Sequence, residues 1–275
     1  MTLQSLKAQT LLLLSRHRVE IDPSMDEQQL IDPDVIRRFI DHSGVQQDET
    51  VLEIGPGAGN ITEALLERAR YLICIEKNQK YLPILRERFK GSPKLKIIQD
   101  DALKTYIPKH DRLVSNLPYM IAEAFFQRTL RLSFKSATFI VSSGFAETIL
   151  ASPSSPDYTK LSWLSQLFYE TILYDTLPSN AYLPEPRVST AIVSLKPRME
   201  LDETEAVLKE LIQQGDKYTK NALREALIRA GCCASKKAAR NHISLLNLDP
   251  RLLETWASRL SLNDLKAIEA RLRAS

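Results

Sequence analysis

The spacing of apolar and polar residues along the chain predicts strands that alternate with helices. Short apolar runs bounded by turn residues indicate buried strands at residues 50–54, 71–76, 95–98, 112–115, 137–141 and 191–195. Apolar residues three and four positions apart indicate helices at residues 33–40, 61–70 and 80–89. Before the first of these helices, Asp32 has the residue type of an N-cap and Pro33 that of a first-turn residue. Alternation at this spacing predicts an α/β fold with a parallel sheet covered on both faces.

A change of composition predicts a second, smaller domain. Residues 197–204 are polar and follow the last predicted strand, and from there to Ala274 the chain reads as wholly helical. We therefore divide the chain into an α/β domain, residues 1–198, and a helical domain, residues 199–275. Residues 151–159 are typical of an exposed, turn-rich loop.

Basic residues are concentrated in the predicted helical domain. Residues 205–275 contain 13 Lys or Arg against 8 Asp or Glu, whereas residues 1–204 contain 24 basic and 26 acidic residues. A basic domain attached to a near-neutral one suits a polyanionic partner such as nucleic acid. Charge alone leaves open the alternative of a solvated helical surface that is basic by chance.

Bulk composition excludes several classes of protein. No apolar run approaches the roughly 18 residues of a membrane span, so we expect no membrane partner. The apolar run Leu11 to Leu14 is short and lacks a small-residue cleavage site, so we do not expect a secretory signal. The three cysteines, Cys74, Cys232 and Cys233, show no metal-ligand spacing. They predict reduced thiols in a cytoplasmic protein, with no metal site and no disulfide.

A glycine-rich turn follows the first predicted strand of the sheet. It runs from Glu53 to Gly59, and Gly55 and Gly57 let its backbone bend sharply and approach a ligand closely. Asn60 stands where the dinucleotide fingerprint has glycine. Glu76 ends the next strand, about twenty residues on, where a carboxylate can accept hydrogen bonds from ribose hydroxyls. The turn predicts a nucleoside cofactor, and by itself it fits NAD, FAD and S-adenosylmethionine.

Asp101 follows the third predicted strand. At the tip of a strand adjacent to that of Glu76, its carboxylate can accept a hydrogen bond from the adenine amine of a cofactor. Taken by itself, the residue also fits an exposed acidic loop or the cap of a short helix. Its position after Glu76 at βαβ spacing favours the cofactor role.

The loop Asn116-Leu117-Pro118-Tyr119 directly follows the fourth predicted strand. The side-chain oxygen of Asn116 and the backbone carbonyl of Leu117 can accept the two N–H groups of an adenine amine. Pro118 stiffens the loop, and Tyr119 offers a face on which the base can stack. These residues would form the catalytic loop of a methyl transfer from S-adenosylmethionine to adenine N6. A nicotinamide dehydrogenase is the alternative enzyme, but it leaves this loop without a role.

These motifs resemble, in order, those of ribosomal RNA adenine N6-dimethyltransferases of the KsgA type. The resemblance covers most of the chain, through Leu30-Ile31-Asp32, Glu53 to Gly59, Glu76, Asp101-Ala102-Leu103, Asn116 to Tyr119, Tyr182 to Val188, Asn221-Ala222-Leu223 and Arg259 to Leu265. It implies a Rossmann-like S-adenosylmethionine-dependent methyltransferase core, with an N-terminal lid segment and a small all-helical, RNA-contacting C-terminal domain. The implied reaction methylates N6 of two adjacent adenines in small-subunit ribosomal RNA.

The resemblance also implies which residues contact the cofactor and the base. Together with Gly57 of the glycine turn, the residues expected to bind S-adenosylmethionine are Gln28, Leu30, Gly55, Glu76, Asp101 and Asn116. Tyr119 and Tyr182 would stack on the two faces of the target adenine. The expected partner is small-subunit ribosomal RNA or an immature small ribosomal subunit, bound by a monomer.

The chain departs from the family pattern at three places. Asp26-Glu27-Gln28-Gln29 stands where the family has Gly-Gln-Asn-Phe, Ser142-Ser143-Gly144 replaces Gln-Lys-Glu, and Ser189 replaces Asp. These departures keep a second function open, that of an RNA-binding ribosome-assembly factor with weak or lost transfer activity. Methylation of adenine in DNA also fits the loop chemistry, but the sequence shows no evident DNA-reading domain.

Overall fold

The computed structural model describes residues 3–22 and 27–275. Its strands are β1 (Gln29–Leu30), β2 (Thr50–Ile54), β3 (Tyr71–Glu76), β4 (Leu95–Gln99), β5 (Arg112–Asn116), β6 (Ser136–Ser142), β7 (Tyr169–Leu177), β8 (Tyr182–Leu183) and β9 (Thr190–Pro197). Its helices are α1 (Leu3–Arg16), α2 (Pro33–Ser43), α3 (Asn60–Arg68), α4 (Leu82–Arg88), α5 (Ala122–Thr129), α6 (Ser143–Leu150), α7 (Lys160–Phe168), α8 (Glu203–Gln213), α9 (Thr219–Arg229), α10 (Lys236–Leu245), α11 (Pro250–Leu253) and α12 (Leu262–Arg273).

The main sheet has seven strands in the order β4-β3-β2-β5-β6-β9-β7, and β1 pairs with β8 in a separate two-stranded sheet. The pairs β3–β4, β2–β3, β2–β5 and β5–β6 are parallel. The carboxyl ends of β4, β3, β2 and β5 therefore meet at one edge of the sheet, which is where open α/β sheets bind ligands.

Local sequence explains how α2 begins, ends and packs. The Asp32 side chain accepts hydrogen bonds from the backbone N–H groups of Asp34 and Val35, which confirms the predicted N-cap. Gly44 ends the helix in the left-handed conformation, with φ of 62°. The apolar face, which includes Phe39, is buried in the core of the first compact unit. Burial of each such side chain contributes roughly 1.5–3 kcal/mol.

The prediction of a parallel sheet is correct for its centre and wrong at one side. β9 pairs with β6 in the antiparallel direction, so that Phe139 lies opposite Val193. A strand direction can be inferred from a crossover helix between two strands. No such helix connects β7 to β9, where the chain instead forms the short strand β8. The sheet is therefore mixed.

The chain divides into two compact units. The first contains the described residues up to Glu147 together with Thr171–Pro197, and the second contains Thr148–Glu170 and Arg198–Ser275. The boundary predicted from the sequence, near residue 199, assigns Thr148–Glu170 to the first domain. In the structure, this segment belongs to the same unit as the C-terminal helices. In the second unit, the indole N–H of Trp163 on α7 donates to Oε2 of Glu269 on α12 at 3.2 Å. A separate helical domain, enlarged by this stretch, remains our proposal.

Residues 3–22 and 27–275 lack both a membrane-spanning helix and a metal-binding cluster. No helix there combines the length and the apolarity needed to cross a bilayer. The same ranges contain no group of three or more His, Cys, Asp or Glu side chains placed to bind a metal ion.

Candidate active site

A cavity of about 510 Å³ lies in the first unit, at the carboxyl ends of β2, β3, β4 and β5. The predicted site residues that line it are Gln28, Leu30, Gly55, Gly57, Glu76, Asp101, Asn116, Leu117, Pro118 and Tyr119. The structure therefore brings together all the predicted site residues except Tyr182. They come from segments that are distant along the chain and meet because parallel strands end at one edge.

The turn after β2 requires glycine because its backbone is left-handed. Gly55 and Gly57 have φ angles of 66° and 54°, a region that other residue types rarely adopt. A Cβ atom at Gly57 would also lie 2.5 Å from Oε1 of Gln29, closer than real Cβ atoms approach other atoms. The turn thus combines a close approach to Gln29 with a backbone that lines the cavity.

Gln29 holds this turn in place, a role that the sequence did not reveal. Its buried side chain accepts a hydrogen bond from the backbone N–H of Ala58 at 2.8 Å and donates to the carbonyl of Glu27 at 2.8 Å. The sequence showed only that Gln29 stands where the related family has Phe. No local pattern links Gln29 to Ala58, because the two are 29 residues apart.

Glu76 lies on the cavity wall with its carboxylate already partly hydrogen-bonded. Its side chain is 5% exposed and accepts hydrogen bonds from the backbone N–H groups of Gly57 at 3.1 Å and Asn78 at 2.7 Å. Burial raises the pKa of Glu76, and these N–H groups oppose that rise. A carboxylate has about four acceptor positions, so Glu76 retains acceptor capacity toward a ligand.

Asp101 lines the cavity at the end of β4. It accepts the backbone N–H of Leu103 at 2.9 Å and pairs with Nζ of Lys77 at 3.1 Å. The Leu103 hydrogen bond is the main cause that lowers the pKa of Asp101, and Lys77 lowers it further. The carboxylate is therefore held in its ionised form.

Glu27 connects the segment before β1 to the turn after β3. Its carboxylate, which is 9% exposed, accepts from Nδ2 of Asn78 at 2.7 Å and pairs with Nζ of Lys80 at 2.5 Å. Glu27 also lines the cavity, but the sequence did not single it out as a site residue. The adjacent departure, Asp26, lies outside the described residues.

The lining of the cavity is acidic. The charged residues on its wall are Glu27, Glu76, Asp100 and Asp101 against Lys77. An excess of carboxylates in a partly enclosed site attracts cations. The wall therefore suits a positively charged ligand.

The loop after β5 presents an unsatisfied acceptor. Oδ1 of Asn116 is buried and has no hydrogen-bond partner among residues 3–22 and 27–275. Its Nδ2 donates to the carbonyl of Gln28 at 3.4 Å. The N–H of Leu117 donates to the carbonyl of Ile140 at 3.0 Å, which ties the loop to β6. A buried acceptor without a partner is unfavourable by roughly 1–3 kcal/mol, so a donor from a ligand would stabilise the loop.

The two tyrosines predicted to stack on the base lie in different environments. Tyr119 lines the cavity, at the start of a short 3₁₀ helix that ends at Ile121. Tyr182 is 2% exposed, packs in the apolar core, and has its hydroxyl 2.7 Å from Oγ1 of Thr190. Burial raises the pKa of Tyr182, and the nearby Tyr119 raises it further. A stacking role for Tyr182 requires its ring to leave this packing, and that role stays a prediction.

A buried carboxyl lies at the end of β2, where the glycine turn begins. Glu53 is 1% exposed and its Oε2 accepts a hydrogen bond from the Thr62 hydroxyl at 2.7 Å and from the Cys74 thiol at 3.3 Å. Burial raises its pKa to about 7. The contact with Thr62 connects the strand to the first turn of α3. Glu53 stabilises the base of the turn and does not line the cavity wall.

Comparison with known proteins decides the family. Residues 20–263 match the family described as ribosomal RNA adenine dimethylase. The chain belongs to this family. Membership confirms the resemblance inferred from the motifs and identifies an S-adenosylmethionine-dependent rRNA adenine methyltransferase. Helix α1 lies before the matched range.

Curated members of the family are similar over almost their whole length. The protein is 30% identical to a probable ribosomal RNA small subunit methyltransferase A of Methanosphaera stadtmanae, with coverage of 93% of this chain and 95% of the relative. It is 33% identical to the protein of the same name from Thermococcus kodakarensis, with coverage of 94% and 92%.

Solved structures confirm the Rossmann-like methyltransferase fold. A dimethyladenosine transferase from Plasmodium falciparum superposes with a TM-score of 0.60 at 24% identity, over 88% of this chain and 96% of that one. The 23S rRNA methyltransferase ErmE superposes with a TM-score of 0.57 at 21% identity, over 89% and 99% of the two chains. At these identities the similarity concerns the fold alone.

Proposed function

We propose that this protein methylates N6 of two adjacent adenines in small-subunit ribosomal RNA during ribosome assembly. The observation that carries the proposal is the buried, unpartnered Oδ1 of Asn116 on the wall of the cavity. An adenine amine has the N–H donor that this acceptor lacks. The glycine turn and Glu76 lie on the same wall, within reach of a single bound nucleoside cofactor.

The residues present fit S-adenosylmethionine. The acidic wall suits its sulfonium and ammonium charges, and a cavity of about 510 Å³ is within the usual range for a ligand of this size. We expect Glu76 to accept hydrogen bonds from the ribose hydroxyls and Asp101 to accept one from the adenine amine of the cofactor. Gly55 and Gly57 allow the backbone to approach it closely. When bound, S-adenosylmethionine supplies an electrophilic methyl group.

The loop acts on the amine of the target adenine. This amine is a poor nucleophile, because its lone pair is delocalised into the ring. When Oδ1 of Asn116 and the carbonyl of Leu117 accept its two N–H groups, a pyramidal nitrogen with a localised lone pair is favoured. Tyr119 holds the ring by stacking, which contributes roughly 1–3 kcal/mol per base. The alkylated nitrogen is positively charged and releases its proton readily, so a strong base is not required beforehand.

The finer parts of the proposal rest on relatives and on the family motifs. The Methanosphaera and Thermococcus relatives are named small subunit methyltransferases, which supports small-subunit rRNA as the substrate. The pair of adjacent adenines comes from the motif resemblance. We also propose a monomer located in the cytoplasm, consistent with free thiols at Cys74, Cys232 and Cys233.

Mass spectrometry of rRNA from cells that lack the protein tests the proposal. We expect dimethyladenosine to disappear from small-subunit rRNA and to return with the wild-type gene. Asn116→Ala should fail to restore it. Asn263→Ala, which alters an exposed asparagine of α12, is the matched control and should restore it fully. Dimethyladenosine that persists unchanged in the deletion strain contradicts the proposal.

An assembly factor with weak transfer activity is the second candidate. One observation favours it: Gln29 already occupies the N–H of Ala58, so this donor of the glycine turn is not offered to a cofactor. Calorimetry with S-adenosylmethionine separates the two candidates. Cofactor binding that is lost in Glu76→Ala supports the enzyme, whereas intact RNA binding without any cofactor binding supports the assembly factor.

A further inference from the structure

An exposed pair of aromatic residues lies in the second compact unit, outside the cavity described above. The rings of Tyr218 and Trp256 contact each other in a tilted arrangement, with centroids 4.7 Å apart and planes inclined by 33°. Their side chains are 40% and 38% exposed. Large aromatic side chains are mostly buried in folded domains. This pair instead offers ring surface to solvent.

The backbone places the two residues side by side. Tyr218 and Trp256 form an antiparallel β-bridge. The backbone N–H and the hydroxyl of Thr219 both donate to the carbonyl of Thr255 at 2.8 Å, and Thr219 is completely buried. The paired arrangement is therefore in place before any ligand binds, which reduces the entropic cost of binding.

Basic side chains also surround Glu225, on α9 of the same unit, with Nη2 of Arg224 at 3.2 Å from its Oε1. The pKa of Glu225 is lowered by its hydrogen bond to Arg224 and by the charges of Lys217, Arg224 and Lys236. Lys217 precedes Tyr218 in the chain and donates to the neutral side chain of Gln214 at 2.8 Å. Arg224 pairs with Glu225 and Lys220 pairs with Glu254, whereas Lys217 and Lys236 form no ion pair among the described residues and are available to an anion.

We propose that Tyr218 and Trp256 form a stacking platform for an unpaired base of the RNA substrate. Lys217 and Lys236 then bind neighbouring phosphates. The inference rests on the proposed function, because that function makes RNA the substrate. It adds a second contact with RNA, through residues of the second compact unit that do not line the cavity.

The size and charge of the patch favour a nucleobase over a protein partner. A stable protein interface covers about 800 Å² on each side, far more than two half-exposed rings provide. A single base covers about one ring, and every base has a π-face, so stacking tolerates many sequences. The adjacent cations match the phosphates that accompany each base.

Tryptophan fluorescence reports on the platform directly. The chain has two tryptophans, and Trp163 is only 7% exposed, so Trp256 is the one accessible to an added ligand. The probe is a single-stranded oligoadenylate RNA of about ten nucleotides, within the site size of known single-strand binders. We expect saturable quenching in the full-length protein and an affinity that falls as salt is raised. A blunt-ended duplex of the same length should quench much less.

Variants separate stacking from general electrostatic attraction. Fluorescence anisotropy of labelled oligoadenylate should show about tenfold weaker binding for Tyr218→Ala and for Trp256→Ala. Tyr218→Phe and Trp256→Phe keep a ring and should stay within a few-fold of the wild type. Tyr106→Ala is the matched control, because Tyr106 is 82% exposed and lies in the first unit.

Three results would overturn the platform. The first is wild-type RNA affinity in both alanine variants. The second is a loss of RNA affinity in the phenylalanine variants equal to that in the alanine variants. The third is quenching by the duplex equal to that by the single strand. Thermal unfolding of each variant shows whether a loss of RNA affinity comes from misfolding. If an alanine variant misfolds, the phenylalanine variants still test the platform. The two proposals can fail separately. If the protein shows quenching by RNA but its deletion leaves rRNA dimethyladenosine unchanged, the proposed function is refuted and the platform is supported.

Discussion

Two halves of the cavity wall differ in how their polar groups are satisfied. In the glycine half, formed by Gly55 to Gly57 with Gln29 and Glu76, side chains already bind the N–H groups of Gly57 and of the adjacent Ala58. In the loop half, Asn116 to Tyr119, a buried acceptor has no partner among the described residues. The N–H groups of Gly57 and Ala58 in the glycine half are satisfied without a ligand, whereas the buried acceptor of the loop half is not.

Because of this difference, substitutions in the two halves should affect different steps of the reaction. A preformed binding surface determines how tightly a cofactor is held, since little has to rearrange when it arrives. An acceptor that only a substrate can satisfy affects the reacting group itself. Substitutions in the glycine half should therefore alter cofactor affinity and stability, and substitutions in the loop half should alter transfer to the base.

The largest expected effect is that of Gly57→Ala. Its Cβ would clash with Gln29 and would require a left-handed backbone, so we expect S-adenosylmethionine affinity to fall about 100-fold or more. Isothermal titration calorimetry measures the loss. The double variant with Gln29→Ala removes the clash but not the backbone strain, and should recover part of the affinity. Unchanged affinity in Gly57→Ala would show that the turn is not preformed as described.

Removing the carboxylate of Glu76 should have the next largest effect. Glu76→Ala deletes an acceptor for the cofactor and leaves the N–H of Gly57 without its partner. Hydrogen bonds to charged groups contribute roughly 1.5–3 kcal/mol, which predicts affinity lowered about 10- to 100-fold. Glu67→Ala, an exposed glutamate on α3, is the control for calorimetry. Equal affinities of the two variants would remove Glu76 from the binding site.

Glu53 predicts a pH dependence of stability in the glycine half. Its pKa is raised to about 7 by burial, so the folded state keeps a proton that the unfolded chain has released. This contribution is complete below the unfolded pKa and is lost as pH rises toward 7. Between about pH 5 and pH 8, the wild-type free energy of unfolding should fall by on the order of 2 kcal/mol relative to Glu53→Gln.

Denaturant unfolding across this pH range measures the Glu53 effect. Glu67→Gln, an exposed change on α3, should keep the wild-type slope. If the wild type and Glu53→Gln lose stability in parallel as pH rises, the buried carboxyl is not the source of the pH dependence.

The smallest effect is expected from Tyr119, in the loop half. Tyr119→Ala removes a stacking surface and should raise the KM for RNA about tenfold, with unchanged cofactor affinity. Tyr119→Phe retains the ring and should behave like the wild type. Steady-state methylation assays measure both. A loss of cofactor affinity in Tyr119→Ala would erase the distinction between the two halves.

The sequence predicted the sheet edge and most of the polar residues that line the cavity for one physical reason. Strands buried on both faces appear as continuous apolar runs, and residues 50–54 and 71–76 match the observed β2 and β3. Residues that directly follow such strands are brought to one edge by parallel pairing. Glu76 and Asn116 could therefore be placed in one cavity without knowledge of their side-chain contacts.

Other parts of the site depend on contacts that sequence spacing does not reveal. Glu27 pairs with Lys80, which is 53 residues away. Opposite charge alone does not predict which acidic and basic residues will pair. The Tyr-x-Pro pattern at Tyr182 does not distinguish a ring on the cavity wall from one in the core. The strand β7 was missed because it lies at the edge of the sheet, where exposed polar residues such as Glu170 interrupt the apolar run.

The most direct test of the account compares Asn116→Ala with Asn116→Asp, which keeps an acceptor oxygen. Single-turnover methylation of immature small subunits gives the transfer rate, and calorimetry gives the S-adenosylmethionine affinity. We predict that Asn116→Ala slows transfer about 100-fold or more, changes cofactor affinity far less, and is clearly slower than Asn116→Asp. Equal rates for the two variants, or a loss confined to cofactor affinity, would contradict the claim that the unpartnered oxygen of Asn116 activates the target amine.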